Sequence, residues 1–433
     1  MCAIWNPQAE TMPREELLQL QLERLQSTLN RVYRYVAYYH RVLDEAGLQP
    51  EDLQSREDLQ RLPFTTHQDL RESYPYGMFA LPLREIVRLQ SSLGTTGHPT
   101  VVGYTRNDLK HWTDLVARNL SGCGIGREDV VQIFFGYGLF TGGFGFHYGA
   151  EAVGAAVIPV SSGDLDRQLR IMQDFRTTAL LGTPSHALYM GRRLVAQGLD
   201  PHSLSLRVGL FGAEPWSEET RREIEESLLL TAYDSYGLAE IGGPGVAAEC
   251  ECRCGLHLAE DHFLVEVVDP ATGEPLPEGE EGELVFTTLT KEAFPLLRYR
   301  TGDVASLDSS PCACGRTLAR LSRVLRRTDD LIILQGASIL PEDVGQELAS
   351  FAELGQGFQL RVRRGEEADD LEVLVEIGQV PDMSFPVVEH LQEQVRDHLR
   401  RALGLDLSVK LVEPRSLQGA GAPAPRVVDE RTL

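Results

Sequence analysis

Between Val130 and Leu228 the sequence alternates short apolar runs with amphipathic stretches, and no other feature restricts the fold as tightly. VVQIFF at Val130–Phe135 leads into a glycine-rich turn, and AAVIPV at Ala155–Val160 precedes a helical pattern over Leu165–Phe175. ALLG at Ala179–Gly182 is followed by a helix over His186–Gln197, and VGLF at Val208–Phe211 by a helix over Ser217–Leu228. Short runs that are apolar throughout predict strands buried on both faces. Strands and helices in strict alternation predict a parallel sheet covered by helices, an α/β architecture. Ligands of such sheets bind beyond the carboxyl ends of the strands.

The flanking segments have other periods. Residues 13–47 repeat apolar side chains at i, i+3, i+4 and i+7, with Pro13 at the start and Gly47 at the end, which predicts one long amphipathic helix. From about 255 to 307 the runs shorten to HFLVEVVD and GELVFTT, separated by turns, which predicts a β-rich subdomain. A last β/α alternation begins near Asp329, with LIILQGASILP, a helix over Glu342–Leu354, QLRVRRG, LEVLVEIG, a helix over Val387–Leu403 and SVKLVE. The expected division is a large N-terminal domain over 1–328 and a small C-terminal α+β lobe over 329–433.

Charge narrows the partners. A net charge of -23 over 433 residues repels a phosphate backbone and argues against sequence-independent nucleic-acid binding. No tract is long and apolar enough to predict a membrane span, and the opening MCAIWNPQAE lacks the apolar region of a signal peptide, so a cytoplasmic location is expected. The long N-terminal helix offers a surface for a homodimer. Lysine is scarce: Lys110, Lys291 and Lys410 are all there are.

Five of the seven cysteines fall in two groups, CECRC at Cys250–Cys254 and CAC at Cys312–Cys314. Thiolates two residues apart can turn toward one soft cation and are poorly placed to bridge each other. Cys250, His257, Cys312 and Cys314 would complete a closed Cys₃His zinc site that braces the fold and leaves no open position for catalysis. Cys252 and Cys254 are rival ligands.

A dozen separated blocks, in order along nearly the whole chain, together resemble the adenylate-forming superfamily and its phenylacetate–coenzyme A ligase branch. They include LPFTT, SSLGTTGHPTVVGYT, FGYGLFTGGFGFHYGAE, FGAEPWSEE, DSYGLAEIGGPG, GELVFTTL, LLRYRTGD and RTDDLIILQGASILP. The resemblance implies an adenylate-forming ligase fold with a mobile C-terminal lobe. It also implies an enzyme that takes ATP, Mg²⁺ and an aryl or acyl acid, forms an acyl-adenylate and passes the acyl group to coenzyme A. Carried over position by position, Ser92, Gly94, Thr95, Thr96 and Gly97 would wrap the phosphates, since glycine permits close backbone approach and hydroxyls add donors. Gly212, Ala213, Glu214 and Pro215, with Asp234, Ser235, Tyr236 and Gly237, would line the adenine pocket, Tyr236 stacking on the base. Asp303 would grip the ribose hydroxyls with the support of Arg327. Glu240 would hold Mg²⁺ and, with Thr96 and His98, make up the catalytic set. Tyr137, Phe140 and Phe146, with Phe144 beside them, would furnish a flat slot for the acid, Gly142 and Gly143 leaving room for a ring.

The chain departs from the family pattern where charge matters. The phosphate segment usually reads SSGTTGKPT; here Leu93 and His98 replace a serine and the lysine. A lysine also stands in a C-terminal segment like PRSEGKAKRVID, whereas this chain reads PRSLQGAGAPAPRVVD, with no lysine after Lys410. Arg426 is the nearest cation, and a planar guanidinium is not a point-like ammonium. Asp329, the expected hinge, is retained. The ligase reading therefore stands beside a second one, a protein that binds AMP, ATP or an acyl-adenylate without making the adenylate efficiently.

Overall fold

The computed structural model describes residues 3–92, 99–161, 163–334, 337–365, 368–378, 385–414, 416–417 and 425–431. It divides into two compact units, one comprising residues up to Ser92 with Thr100–Thr328, the other containing Asp329–Leu433.

The alternating stretch of the first unit forms what its pattern predicts. Strands Val130–Ile133, Ala156–Ile158, Ala179–Gly182, Val208–Gly212 and Thr231–Tyr236 pair in parallel. Four antiparallel strands, Ala247–Glu249, Leu256–Leu258, Arg320–Leu321 and Leu307–Asp308, extend the same sheet to nine. Val131, Leu180, Leu181 and Leu210 are fully buried, because helices cover both faces of the parallel part. Leu165–Phe175 and Glu218–Leu228 are helices whose N-termini are capped by Asp164 and Ser217, each side chain accepting backbone N–H groups of the first turn.

Two expectations shift. The region 255–307 is not one subdomain: Leu256–Leu258 joins the large sheet, while Phe263–Val268, Gly282–Thr288 and Tyr299–Ala305 form a separate antiparallel sheet that recruits Arg326–Arg327 at its edge. The predicted helix over 13–47 is two helices, Arg14–Tyr35 and Ala37–Glu45, broken at Val36, whose backbone is extended. Apolar spacing could not reveal the break, since Val32, Val36, Tyr39 and Leu43 keep helical intervals across it and all are buried.

The second unit has its own core of Leu334, Val344, Leu360, Val362, Val373, Val395 and Leu399. Its four-stranded sheet runs Ser408–Val412, Asp369–Ile377, Leu354–Arg364, Val427–Asp429, and the helix Phe385–Leu403 belongs to the same core. The helix expected over 342–354 stops at Leu348, because Leu354 already pairs with Ile377 as a strand. Among the described residues no helix is long and apolar enough to cross a membrane.

Candidate active site

Two neighbouring parallel strands bring the candidate adenine residues together. Gly212 lies opposite Ser235 in register, so Gly212–Pro215 and Asp234–Gly237 emerge side by side at the carboxyl ends. Position 212 requires glycine, since a Cβ there would sit 2.1 Å from the Ser235 carbonyl oxygen. Ala213 follows at φ +67°, a left-handed conformation uncommon for alanine and typical of turns at functional sites. The carboxylates beside it are engaged: Glu214 accepts the Ser185 N–H at 3.3 Å, and Asp234 accepts Trp216 Nε1 at 3.0 Å and Arg323 Nε at 3.1 Å. These two acids hold the strand ends in place.

The antiparallel sheet delivers the other half of the site. Asp303 lies across the strands from Arg327, and their side chains form an ion pair; Arg327 also donates to the Thr301 carbonyl at 2.7 Å. The Tyr236 hydroxyl donates to Asp303 Oδ2 at 2.8 Å, and its ring is offset on Phe286 with centroids 6.0 Å apart. Burial, and then the Asp303 carboxylate, hold the Tyr236 phenol well above its ordinary pKa, so it stays a donor. Three residues chosen from separate blocks therefore form one hydrogen-bonded network. Glu240, four residues on from Tyr236, is buried and makes no hydrogen bond or ion pair among the described residues. A largely buried carboxylate in this position suits a hard cation.

The aromatic segment follows the carboxyl end of Val130–Ile133 and enters the helix Thr141–Ala152. Tyr137 meets Phe144 edge to face at 5.4 Å and bonds His147 Nδ1 at 3.1 Å, and Phe140 lies 6.0 Å from Phe135. Phe146 is 2% exposed and stacks on Phe135 at 5.4 Å, a core position. Gly142 and Gly143 are buried, and a Cβ on Gly143 would sit 2.6 Å from the Gly136 carbonyl oxygen, so this glycine lets the turn close on the helix. Of the phosphate-segment residues, Ser92 holds the backbone of Thr100 from both sides, its N–H donating at 3.0 Å and its Oγ accepting at 3.1 Å. Gly94, Thr95, Thr96, Gly97 and His98 lie outside the described residues.

Cys250, His257, Cys312 and Cys314 are all buried, with ligand atoms within 4.8 Å of one another. Cys250 and Cys312 sulfurs are 3.8 Å apart, close to the edge of a tetrahedron whose arms are about 2.3 Å, the usual zinc–sulfur distance. Cys314 Sγ lies 3.4 Å from His257 Nε2. Burial pushes the Cys312 thiol up to about 12 and His257 down to about 4, so the imidazole is neutral and free to ligate. Of the rivals, Cys252 is exposed, and Cys254, 3.5 Å from Cys312, accepts an N–H of Arg320 at 2.8 Å.

Sequence reasoning passed over Arg88 and Tyr104, opposite each other in a two-stranded ribbon, and Lys291, whose amine lies over the Tyr104 ring. Lysine scarcity was the available signal, and it named Lys291 without placing it.

Comparison with known proteins accords with this geometry. The family model described as AMP-binding enzyme matches residues 25–289, and the AMP-binding enzyme C-terminal domain matches 336–431. The chain is 45% identical to the phenylacetate-coenzyme A ligase of Thermus thermophilus, covering 99% of this chain and 100% of that protein. It is 43% identical to the phenylacetate-coenzyme A ligase of Escherichia coli K12, covering 98% and 97%. Among solved structures, a 2-hydroxyisobutyryl-CoA ligase in complex with 2-HIB-AMP and CoA superimposes with a TM-score of 0.93 at 29% identity, covering 99% of this chain and 93% of that one. The chain thus belongs to the AMP-binding enzyme family and, within it, to the phenylacetate-coenzyme A ligases, AMP-forming enzymes that join a carboxylic acid to coenzyme A through an acyl-adenylate.

Proposed function

We propose that the acid is an arylacetate of the phenylacetate class, and that the adenylate is held by the Tyr236, Asp303 and Arg327 network. The observation that carries the aryl preference is the edge-to-face pair of Tyr137 and Phe144 at the carboxyl end of a parallel strand, with Phe140 beside it. Aromatic walls favour a flat ring over a flexible chain of equal area. In this reading Asp303 accepts hydrogen bonds from the ribose hydroxyls while Arg327 keeps it ionised and oriented, and Tyr236 offers its ring to the base. Glu240 would hold Mg²⁺, a hard cation that would supply charge neutralisation for the nucleotide's phosphates. The thiols of Cys250, Cys312 and Cys314 and the imidazole of His257 hold a structural Zn²⁺.

Pyrophosphate exchange with phenylacetate, benzoate, hexanoate and acetate at saturating Mg-ATP tests the assignment. Phenylacetate is expected to exceed hexanoate in kcat/KM by about tenfold or more, the discrimination available to a shaped apolar pocket. Equal values would remove the aryl assignment. Nucleotide binding without exchange for any acid would instead favour the second reading, in which His98 and the lysine-free C-terminal segment leave a binder that does not adenylate.

A further inference from the structure

The strands Arg88–Ser91 and Val101–Tyr104 form a two-stranded ribbon in which Arg88 faces Tyr104 and Gln90 faces Val102. Side chains directly opposite in an antiparallel pair share a face, so Arg88, Gln90 and Tyr104 lie on one side of the ribbon. That side packs on the aromatic segment. The Arg88 guanidinium sits 5.1 Å from the Phe144 ring centroid and 4.9 Å from that of Tyr148, Nη2 donates to the Tyr148 hydroxyl at 3.0 Å, and Gln90 Nε2 donates to the Phe140 carbonyl at 3.1 Å. Tyr104 stacks on Trp112 at 5.0 Å, and Lys291 Nζ lies 3.9 Å from the Tyr104 ring centroid.

Five buried polar atoms on or against this face have no hydrogen-bond partner among the described residues: Arg88 Nη1, Gln90 Oε1, Thr100 Oγ1, Tyr104 OH and Lys291 Nζ. One orphan is a local defect, whereas several along one ribbon and the lysine packed on it call for an explanation. Lys291 is the clearest. Lysines bury the stem and keep the amine in water; this side chain is half-buried overall, yet its Nζ is buried. The groups facing the amine do not neutralise it. Asp108 oxygens already accept the N–H groups of Thr105 at 2.9 Å, Glu292 at 2.8 Å and Ala293 at 3.1 Å, and Lys291 makes no ion pair with them. Burial raises the Tyr104 phenol far above its ordinary value and keeps it neutral. On the remaining side is Gly242, two residues after Glu240; a Cβ there would lie 4.0 Å from Lys291 Cε. The two cations and two hydroxyls can all donate and suit an oxyanion; the Gln90 oxygen, an acceptor, is not part of that match.

We propose that Lys291, packed on the ribbon face that also carries Arg88, binds an anionic oxygen group of the reactants, either the carboxylate of the acid or a phosphate of the nucleotide, and so places in the N-terminal unit a cation that the family carries at two positions this chain has lost. The proposal rests on the ligase reading for the identity of the anion. A buried ammonium without a counter-charge is retained only at a cost in stability. Burial lowers Lys291 to about 8, opposed by Asp108, so the amine is protonated at neutral pH and loses its charge above that.

The test is calorimetric titration of the full chain and its Lys291→Met variant with Mg-pyrophosphate and, separately, with phenylacetate, at pH 7 and pH 9. At pH 7 the wild type binds one of the probes, which identifies the anion, and the variant loses about 10–100-fold in affinity for it, the worth of one charged hydrogen bond. At pH 9 the wild type approaches the variant, whose affinity is flat with pH. The variant melts no lower than the wild type, since a buried unpaired charge has been removed. Two results overturn the proposal: unchanged affinity for both probes in the variant, or a wild type that binds neither. A lowered melting temperature with unchanged affinity makes Lys291 structural and counts against it equally. Lys291-dependent pyrophosphate binding without acid-dependent exchange would leave this inference standing while the ligase reading fell.

Discussion

The same N-terminal unit treats two sets of buried polar side chains in opposite ways. Around Asp303 the interactions are closed: Tyr236 and Arg327 bond its two oxygens, and Thr301 takes a second bond from Arg327. Around Tyr104 they are open, with buried donors and an acceptor that meet nothing. A closed network fixes the direction of a group before a ligand arrives, which is what recognition of a rigid diol requires. An open one stores unsatisfied interactions that a ligand can complete, which suits charge that enters and leaves with each turnover. On the proposed reading, the first network would hold the nucleotide and the second would meet charge that changes during the reaction.

Breaking the closed network should have the largest effect. Asp303→Ala takes a carboxylate away from the Arg327 guanidinium, whose side chain is 11% exposed. Removing one partner of a buried pair typically costs about 3–5 kcal/mol, because the other charge stays buried. The variant should melt well below the wild type and lose about 10–100-fold in AMP affinity, the worth of a charged hydrogen bond, both measurable by thermal shift with and without nucleotide. Asp303→Asn separates the two effects, since it keeps the shape and one acceptor and should recover part of the stability while binding AMP poorly. Full AMP affinity in Asp303→Ala would show that the ribose is held elsewhere.

The contrast between the networks also explains what the sequence alone could convey. Parallel strands such as Ala179–Gly182 and the helix Leu165–Phe175 were legible because burial on two faces, or on one stripe, leaves a period in the residues themselves. Asp303 and Arg327 were legible only through motif resemblance; that they face one another depends on a strand pairing 24 residues apart which no local pattern encodes. The Lys291 environment was not legible. It needs the ribbon register, the helix bearing Trp112 and the turn after Glu240 at once, and the sequence around the lysine, TLTKEAFP, reads as an ordinary turn. Phe146 shows the converse, because an aromatic near a slot and an aromatic in the core carry the same sequence signal.

The thiol cluster is a second open arrangement, and its completion should matter for stability more than for chemistry. Cys312 is the member whose sulfur approaches both Cys250 and Cys254. Cys312→Ser should lower the metal content of purified protein by about one zinc per chain, because a structural site rarely keeps the ion with three ligands. The melting temperature should fall, while KM for ATP in any surviving folded fraction stays within about twofold, as four protein ligands leave no catalytic position. Cys252→Ser, at an exposed position outside the cluster, should retain the metal in full. Loss of zinc in Cys252→Ser with retention in Cys312→Ser would reassign the ligands.

The smallest expected effect tests whether the closed network is held by each of its members or by the ion pair alone. Tyr236→Phe keeps the ring against Phe286 and removes only the hydroxyl that donates to Asp303 Oδ2. Asp303 still has Arg327, so the carboxylate is not orphaned, and the loss should be that of one hydrogen bond, about 0.5–1.5 kcal/mol, or up to about tenfold in AMP affinity. The freed oxygen becomes available to the ribose, which works against the loss and places the expected value at the lower end. Combining Tyr236→Phe with Asp303→Asn in a double-mutant cycle measures the coupling directly: groups in one network deviate from additivity, and groups that merely adjoin do not. Additive losses in AMP affinity would mean that Tyr236 serves the base through its ring alone, and that the hydroxyl bond is incidental to holding the nucleotide.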